Sequence, residues 1–219
     1  MEIIIIFVIL FFAYMWKKSR QKVDVHFVDM SDPNCLNITN FRNHSERCKI
    51  ENCKAKLQAQ IIECIKAANK SIDIAMYNLT NRKIIDSIQE AGNRGVRIRI
   101  IVDQSMVTQE NTDNYLFSKL PHSRGISIKM AGGEENQRKK LMHHKFCLID
   151  TNDWLLNGKV ITGSFNWTYG GLNQNSENVF FIESDEIQRK FNKNFNSMWE
   201  NRDTVWRTPL RAFNYVIYN

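Results

Sequence analysis

The 219-residue sequence predicts one α/β domain, a mixed β-sheet flanked by helices, behind an N-terminal membrane anchor. Short apolar runs alternate with amphipathic stretches along the chain, and this β-α-β order requires crossover connections. With 43% hydrophobic residues and three prolines, the chain is long enough to bury a single core. The net charge of +7 favours an anionic partner, either nucleic acid or a membrane surface, although a basic protein without such a partner would have the same charge.

The anchor prediction rests on residues 3–16, which are all apolar. Fourteen helical residues would measure about 21 Å, which is short for a hydrocarbon core of about 30 Å. A secretory signal peptide would carry positive charge before the apolar run, whereas here the basic residues follow it: Lys17, Lys18, Arg20 and Lys22. The positive-inside rule then leaves the C-terminal body in the cytosol. We therefore expect residues 1–22 to form a single-pass anchor with a basic flank.

Residues 23–54 are polar and irregular, and they contain three cysteines and a histidine that could bind a structural zinc ion: Cys35, His44, Cys48 and Cys53. Such a set can close a tetrahedral site, and a cytosolic location argues against disulfides. Ordinary unpaired thiols are the alternative, and His26 is a substitute ligand. We expect this segment to be a linker with a zinc-finger-like element.

The regular pattern that follows predicts a catalytic domain over residues 55–203, with an aromatic tail over residues 204–219. The predicted elements are a helix over 54–69, a strand over 71–77, a helix capped by Thr80 or Asn81 that ends near Gly92 and Gly95, a strand over 96–102, a helix over 112–120, a strand over 126–130, strands over 146–149, 160–162 and 179–182, and a last helix from Ser184 or Asp185 to Trp199.

Two polar clusters stand at the ends of predicted strands. The first is a His-x-Lys-x4-Asp motif formed by His143, Lys145 and Asp150, and the second contains Ser164 and Asn166. Side chains alternate faces along a strand, so His143 and Lys145 share one face, as do Ser164 and Asn166. If the two strands are neighbours, four polar groups converge at one sheet edge. Asp150 has the opposite parity from His143, and we expect it to hold structure.

An imidazole, an ammonium, a hydroxyl and an amide suit a phosphate better than Mg²⁺, which prefers carboxylate oxygens. A histidine can attack phosphorus or move a proton near neutral pH. The cluster therefore predicts phosphodiester chemistry without a catalytic cofactor. The basic end of a polar loop, Arg138, Lys139 and Lys140, leads into His143 and could guide a phosphate backbone; a merely solvated loop is the alternative.

The paired motifs, HxKx4D followed by GSxN, resemble the signature of the phospholipase D superfamily, and the strings MHHKF, ITGSFNW and NSENV are similar to its mitochondrial branch. The resemblance implies a phospholipase D-like fold, a Glu177 carboxylate that accepts a hydrogen bond from the catalytic imidazole, and a small zinc finger, although the cysteine spacing here departs from that branch. Full-length members carry two motifs and this chain carries one, so we expect a homodimer.

In that dimer, the resemblance implies that His143 forms a phosphohistidine while the partner's imidazole protonates the leaving oxygen. Two substrates fit: single-stranded RNA, cut to leave 5′-phosphates, and cardiolipin, hydrolysed to phosphatidic acid. The basic balance favours RNA, and the resemblance then implies the mitochondrial outer membrane and partners in PIWI-interacting RNA maturation. A catalytically idle membrane scaffold is a third hypothesis, and the filled catalytic positions argue against it.

Overall fold

The computed structural model describes residues 2–18, 21–29, 48–50, 52–108, 115–120, 125–135, 138–151, 156–201 and 204–206. The strands are β1 Lys22–Val28, β2 Ser71–Met76, β3 Arg97–Asp103, β4 Ile126–Ala131, β5 Gly133–Glu135, β6 Arg138–Lys140, β7 Lys145–Ile149, β8 Lys159–Gly163, β9 Glu177–Glu183 and β10 Val205–Trp206. The helices are α1 Glu2–Lys18, α2 Lys54–Lys66, α3 Arg82–Asn93, α4 Gln104–Thr108, α5 Tyr115–Lys119, α6 Tyr169–Gln174 and α7 Asp185–Glu200.

Eight of these strands form one mixed sheet in the order β1-β9-β8-β7-β2-β3-β4-β10. β2, β3 and β4 are parallel to one another, and they are joined through helices as the β-α-β order predicts. β7 runs antiparallel to β2, and β8 and β9 continue the sheet as an antiparallel meander. The prediction of a mixed sheet flanked by helices is confirmed. Because β7 opposes β2, its first residues lie at the carboxyl ends of the parallel strands.

Apolar side chains on the two faces of the sheet form two cores. One core, here called the α2/α3-side core, joins alternate strand residues such as Cys147 and Ile149 to the buried stripes of α2 and α3. The other, the α7-side core, joins Phe146 and Leu148 to Phe195 of α7. This alternation along β7 is what the period of two along a strand requires.

The helix boundaries follow local signals in the sequence. Asn81 caps α3, since its side chain accepts a hydrogen bond from the Ile84 N–H at 3.2 Å, and this was one of the two predicted caps. Ser184 occupies the N-cap position of α7 without a side-chain capping bond, while Asp185 and Glu186 place negative charge in the first turn. Of the predicted helix over 112–120, the structure describes α5 at its C-terminal part, because residues 109–114 lie outside the described residues.

Three segments differ from the sequence prediction. β1 begins at the end of the predicted basic flank and lies otherwise in the stretch predicted as a linker, and it pairs along its whole length with β9. β10 lies in the predicted tail and pairs with β4 at the opposite edge. The predicted polar loop before His143 contains a short hairpin of β5 and β6. β1 and β10 form because they pair with strands that are far away in sequence, and the β5–β6 hairpin forms between two short polar segments. The local amino-acid composition did not indicate a strand in any of the three.

Among the residues that the structure describes, no helix is both long and apolar enough to cross a membrane.

Candidate active site

The two predicted motifs meet where β7 begins and β8 ends. Phe146 pairs with Thr162 in an antiparallel register, so the residues just before Phe146 and just after Thr162 lie at the same sheet edge. The Thr162 hydroxyl also donates to the Lys145 carbonyl at 3.2 Å. β7 and β8 are therefore neighbours, as the predicted convergence of the two motifs requires. This edge is also where the parallel strands β2 and β3 end.

His143 and Lys145 lie together on one face, as their spacing predicts. The Lys145 ammonium nitrogen is 3.4 Å from both ring nitrogens of His143, and it donates to the His143 carbonyl at 3.0 Å. Partial burial lowers the pKa of Lys145 below that of an ordinary lysine, and the nearby Glu177 carboxylate opposes this shift. A cation and an imidazole side by side on an exposed edge form a binding site for an anionic oxygen next to a nucleophile.

Tyr77, at the end of β2, completes this cluster. Its ring lies 4.6 Å from the His143 ring, and the Lys145 ammonium lies 5.2 Å from the Tyr77 ring centroid. The Tyr77 N–H donates to the His144 carbonyl at 2.8 Å, which joins the end of β2 to the start of β7. Tyr77 thus contacts both His143 and Lys145.

Ser164 and Glu177 are hydrogen-bonded to each other. The Ser164 hydroxyl donates to the Glu177 carboxylate and accepts the Asn178 N–H at 3.0 Å. The other Glu177 oxygen accepts the side-chain amide of Asn175 at 3.0 Å. The close approach of β8 and β9 requires Gly163 here, because a Cβ at that position would lie 2.1 Å from the Asn178 carbonyl oxygen.

The hydrogen bond that Glu177 was expected to accept from the His143 imidazole is therefore not made within one chain. Glu177 opens β9, and β8 separates that strand from β7, so its backbone is about 10 Å from the catalytic strand at a spacing of roughly 4.8 Å. Its carboxylate is instead occupied by Ser164 and Asn175. The carboxylate still acts on the site electrostatically through Lys145.

Asn166 lies half-buried beyond the end of β8, between two buried aromatic residues, Phe165 and Trp167. The Trp167 carbonyl accepts the N–H groups of Thr80 and Asn81 at 3.0 and 2.9 Å, and this fixes the loop against the start of α3. The side-chain oxygen of Asn166 is buried without a hydrogen-bond partner. Ser164, two residues earlier, is exposed at the surface.

Asp150 is not part of this cluster. It ends β7, about 17 Å from Lys145 at roughly 3.3 Å per residue. Its buried carboxylate accepts the N–H groups of Asn69, Lys70 and Ser71 at 2.8–2.9 Å, and this fixes the start of β2. Asp150 belongs to the motif in sequence, and these contacts agree with the structural role that its parity predicts.

His144 lies on the opposite face from His143, as its parity predicts, and it contacts Phe146 edge-on at 5.4 Å. Apart from this contact, the His144 side chain is largely exposed. Partial burial, with Lys145 and His143 beside it, lowers the pKa of His144. It is therefore biased towards the neutral form.

A cavity of about 670 Å³ opens beside His143 and His144. Four apolar side chains line it: Ala131, Leu141, Met142 and Met198. Lys140, Asn201 and Thr204 add polar groups. Of the three predicted substrate-binding residues, Lys140 is exposed in this lining, while Arg138 and Lys139 are described only as backbone positions of β6.

Comparison with known proteins bears on this geometry. A family model described as "Cardiolipin synthase, PLD-like domain", where PLD stands for phospholipase D, matches residues 61–199. The chain belongs to this family of PLD-like domains. The predicted membership of the phospholipase D superfamily is confirmed, and all of the motif residues lie within the matched range.

Curated relatives point to the mitochondrial branch of this PLD-like family. "Mitochondrial cardiolipin hydrolase" of Drosophila melanogaster is 34% identical over 166 residues, covering 69% of this chain and 62% of that protein. Its counterpart in Chlamydomonas reinhardtii is 29% identical over 157 residues, covering 70% and 64%. "Phospholipase D" of Rickettsia conorii is 31% identical over 159 residues, covering 71% and 70%. The chain thus spans less than two thirds of the two mitochondrial relatives.

Solved structures confirm the PLD-like fold. The structure described as NucT from Helicobacter pylori has a TM-score of 0.64 at 19% identity, covering 86% of this chain and all of that one. The phospholipase D family member Nuc from Salmonella typhimurium has a TM-score of 0.59 at 19% identity, covering 86% and 99%. At this identity the likeness concerns the fold alone.

Sequence reasoning missed two residues of this PLD-like site, Tyr77 and Asp103. Asp103 ends β3, and its buried carboxylate accepts the Met142 N–H at 2.7 Å, which fixes the residue before His143. Gly132 lies so close that a Cβ there would be 2.6 Å from the Asp103 carboxylate. The missed signal was topological, because both residues stand at carboxyl ends of parallel strands, where α/β folds place their sites.

The zinc prediction remains a prediction. Cys35 and His44 lie outside the described residues. Cys53 is buried in the α2/α3-side core, and Cys48 packs against that core. Within the described part of the chain, no group of three His, Cys, Asp or Glu side chains is placed to hold a metal. An apolar environment is compatible with a packed cysteine thiol as well as with a cysteine that binds zinc.

Proposed function

We propose that this chain hydrolyses a phosphodiester bond through a phosphohistidine formed on His143. The observation that carries the proposal is the Lys145 ammonium 3.4 Å from both His143 ring nitrogens, at the edge that also holds Ser164 and Asn166. This set provides a nucleophile and hydrogen-bond donors for phosphate oxygens. The donors gain strength as charge builds on those oxygens in the transition state.

The proposed reaction needs a second imidazole, and no other histidine within the described part of the chain stands beside His143 on its face of β7. His144 faces the α7 side, and His26 lies on β1, two strands beyond β8. A twofold homodimer would bring a second His143 to the same phosphate. The single HxKx4D motif and the exposure of His143 and Ser164 support this arrangement.

Two displacements complete the proposed cycle. A His143 nitrogen attacks phosphorus, the bond from phosphorus to the leaving oxygen breaks, and the imidazole of the second copy gives that oxygen its proton. The second imidazole then takes a proton from water, whose oxygen attacks phosphorus and breaks the phosphorus–nitrogen bond. His143 is regenerated, and the products are an alcohol and a phosphomonoester.

For the substrate, the cavity beside His143 supports an anionic phospholipid of the cardiolipin type. Its apolar lining by Leu141, Met142 and Met198 suits acyl chains, and Lys140 suits a headgroup phosphate. Relatives named mitochondrial cardiolipin hydrolase agree with this choice. Cardiolipin is therefore preferred over RNA as the substrate, whereas the amino-acid composition alone favoured RNA. Composition gives the net charge of the protein but not the shape of its groove. A mitochondrial outer-membrane location, with the body in the cytosol, belongs to the same proposal.

Single-stranded RNA is the second candidate, and the observation that favours it is the basic β6 strand leading to His143, with Lys140 exposed. Such a segment could follow a phosphate backbone into the site. Partners in PIWI-interacting RNA maturation would follow only from this alternative.

The deciding experiment offers the full chain two substrates in the presence of a chelator: vesicles containing cardiolipin and end-labelled single-stranded RNA. His143→Asn is the inactive control, and the exposed Glu186→Gln on α7 is the matched active control. Phosphatidic acid release without RNA cleavage supports the lipid proposal. RNA fragments with 5′-phosphates and unchanged lipid would replace it with the alternative. No turnover of either substrate would favour the idle scaffold.

A further inference from the structure

The edge strand β1 presents a row of apolar side chains to the exterior. Val23, Val25 and Phe27 alternate along it and are 63%, 40% and 54% exposed. The intervening residues Asp24 and His26 face the other side, where the Asp24 carboxylate accepts the Gln60 side chain at 3.0 Å. Three large apolar side chains in one row on a sheet edge are a liability in water unless something covers them. We refer to Val23, Val25 and Phe27 as the β1 stripe.

The β1 stripe continues the α7 side of the sheet beyond the reach of α7. Val23 pairs with Ile182 and Val25 pairs with Phe180. Ile182 belongs to the α7-side core, and Phe180 packs against it. The stripe is therefore the outer margin of that apolar layer.

Helix α1 ends just before the β1 stripe and is itself apolar and exposed. Its side chains from Ile4 to Phe12 are 47–69% exposed. Only residues 19–21 separate α1 from β1, so the Cα atoms of Lys18 and Lys22 lie within about 14 Å of each other. This junction also contains four basic residues in six positions: Lys17, Lys18, Arg20 and Lys22. Apolar surface next to clustered positive charge matches an anionic lipid surface.

We propose that the β1 stripe lies on an anionic lipid surface, with α1 embedded in the same membrane. The chain-length limit keeps the start of β1 within a few residues of the headgroup layer once α1 enters lipid. The basic junction would lie among the lipid phosphates. This inference deepens the proposed function, and it rests on that function only for the turnover measurement below.

A second copy of the chain is the competing occupant, and the strand order argues against it. If two β1 strands paired edge to edge, seven strand spacings would separate the two β7 strands, which is about 34 Å at roughly 4.8 Å each. Two His143 side chains that far apart cannot act on one phosphate. Edge-to-edge pairing of β1 is therefore incompatible with the catalytic dimer, and the crosslinking experiment below tests for a second copy packed on the stripe in any other way.

Docking through the β1 stripe would bring the Ser164 end of the candidate site towards the membrane. Phe27 pairs with Asn178, and the Asn178 N–H donates to the Ser164 hydroxyl. The stripe thus runs from the anchor to the strand that binds the catalytic serine. With the stripe on the bilayer, Ser164 would lie about 10 Å from Phe27, since two strand spacings of roughly 4.8 Å separate β1 from β8.

Photocrosslinking of the full chain tests which occupant is present. The photoreactive residue benzoylphenylalanine replaces Val25 or Phe27, and it replaces Asp24 as the matched control on the opposite face of the same strand. The protein is bound to phosphatidylcholine vesicles that contain cardiolipin and is then irradiated. We expect lipid adducts from positions 25 and 27 and few or none from position 24. A covalent dimer from positions 25 and 27, equal labelling at position 24, or no lipid adduct would overturn the proposal.

Turnover supplies a second readout. The variant Val23→Ser, Val25→Ser, Phe27→Ser should hydrolyse vesicle cardiolipin about tenfold more slowly, corresponding to about 1.4 kcal/mol. Its hydrolysis of a soluble ester, bis(4-nitrophenyl) phosphate, should match that of the parent, which shows an intact fold. Unchanged vesicle turnover would overturn the link to catalysis. If the parent hydrolyses neither substrate, the proposed function fails, while the crosslinking result still decides the docking surface.

Discussion

The ring of Tyr77 lies against the imidazole of His143, with the ring centroids 4.6 Å apart and the ring planes at 59°. Its face also lies 5.2 Å from the Lys145 ammonium. One aromatic side chain from the end of β2 therefore contacts both groups that the proposed chemistry requires. This contact restricts the imidazole to a narrow range of orientations and stabilises a cation beside it.

Removal of that ring should reduce turnover without unfolding the protein. We expect Tyr77→Ala to lower kcat by about 10- to 100-fold, because small displacements of a reacting group cost that much. Tyr77→Phe should retain most of the activity, since the ring supplies the contact. Steady-state kinetics on the preferred substrate measure both variants. Equal losses in the two variants would assign the role to the hydroxyl instead.

The pH dependence should reveal the link between Glu177 and Lys145. Burial lowers the pKa of Lys145, and Glu177 opposes that shift. If phosphate binding needs the protonated ammonium, activity falls as pH rises through this lowered pKa. Glu177→Gln removes the opposing charge, so the alkaline limb of the kcat/KM profile should move to lower pH.

The exposed carboxylate of Glu186, paired with Lys190 on α7, provides the control for that profile. Glu186→Gln should leave the alkaline limb where it is in the parent. An alkaline limb that stays fixed in Glu177→Gln would mean that the ammonium of Lys145 does not control the profile.

The sequence predicted the site better than its surroundings, and particular residues show why. Side chains alternate faces along a strand, so the sequence alone predicts that His143 and Lys145 share a face and that Asp150 lies on the other. Contacts across the sheet could not be read in this way. The hydrogen bond of Glu177 depends on which strands are neighbours, and the position of Tyr77 depends on β7 lying beside β2.

The fold shows the same limit. β2, β3 and β4 were predicted because each lies between helical patterns. β1 was not predicted, because its partner β9 is about 150 residues away in sequence and its apolar face is exposed. Charged residues in the β5–β6 hairpin gave no local strand signal either.

Asp150 should prove to be a stability residue. Its Oδ1 accepts the N–H groups of Lys70 and Ser71, and its Oδ2 accepts that of Asn69. We expect Asp150→Ala to lower the free energy of unfolding by about 2–4 kcal/mol, since buried donors lose a charged acceptor. Asp150→Asn can retain an oxygen at the Oδ1 position and should lose less. Urea denaturation measures both. A loss of kcat in Asp150→Asn with unchanged stability would place the carboxylate in the chemistry.

Heterodimers provide the sharpest test of a shared active site. Parent and His143→Asn chains with different tags can be co-expressed, and the mixed dimers can be purified on both tags in turn. If one His143 attacks phosphorus while the other protonates the leaving oxygen, the mixed dimer lacks one of the two roles at its single site. Its turnover should fall by about 10²- to 10⁴-fold, the usual contribution of a general acid.

Chains that work independently would instead give mixed dimers with half of the parent activity. A mixed dimer of parent and Glu186→Gln chains, prepared in the same way, should keep full activity and so control for the tags. The two hypotheses differ by at least about fifty-fold in expected turnover, which exceeds any error in heterodimer purity. Half activity in the His143→Asn heterodimer would show that a single chain carries the complete site, and the proton donor would then have to be sought on the same chain.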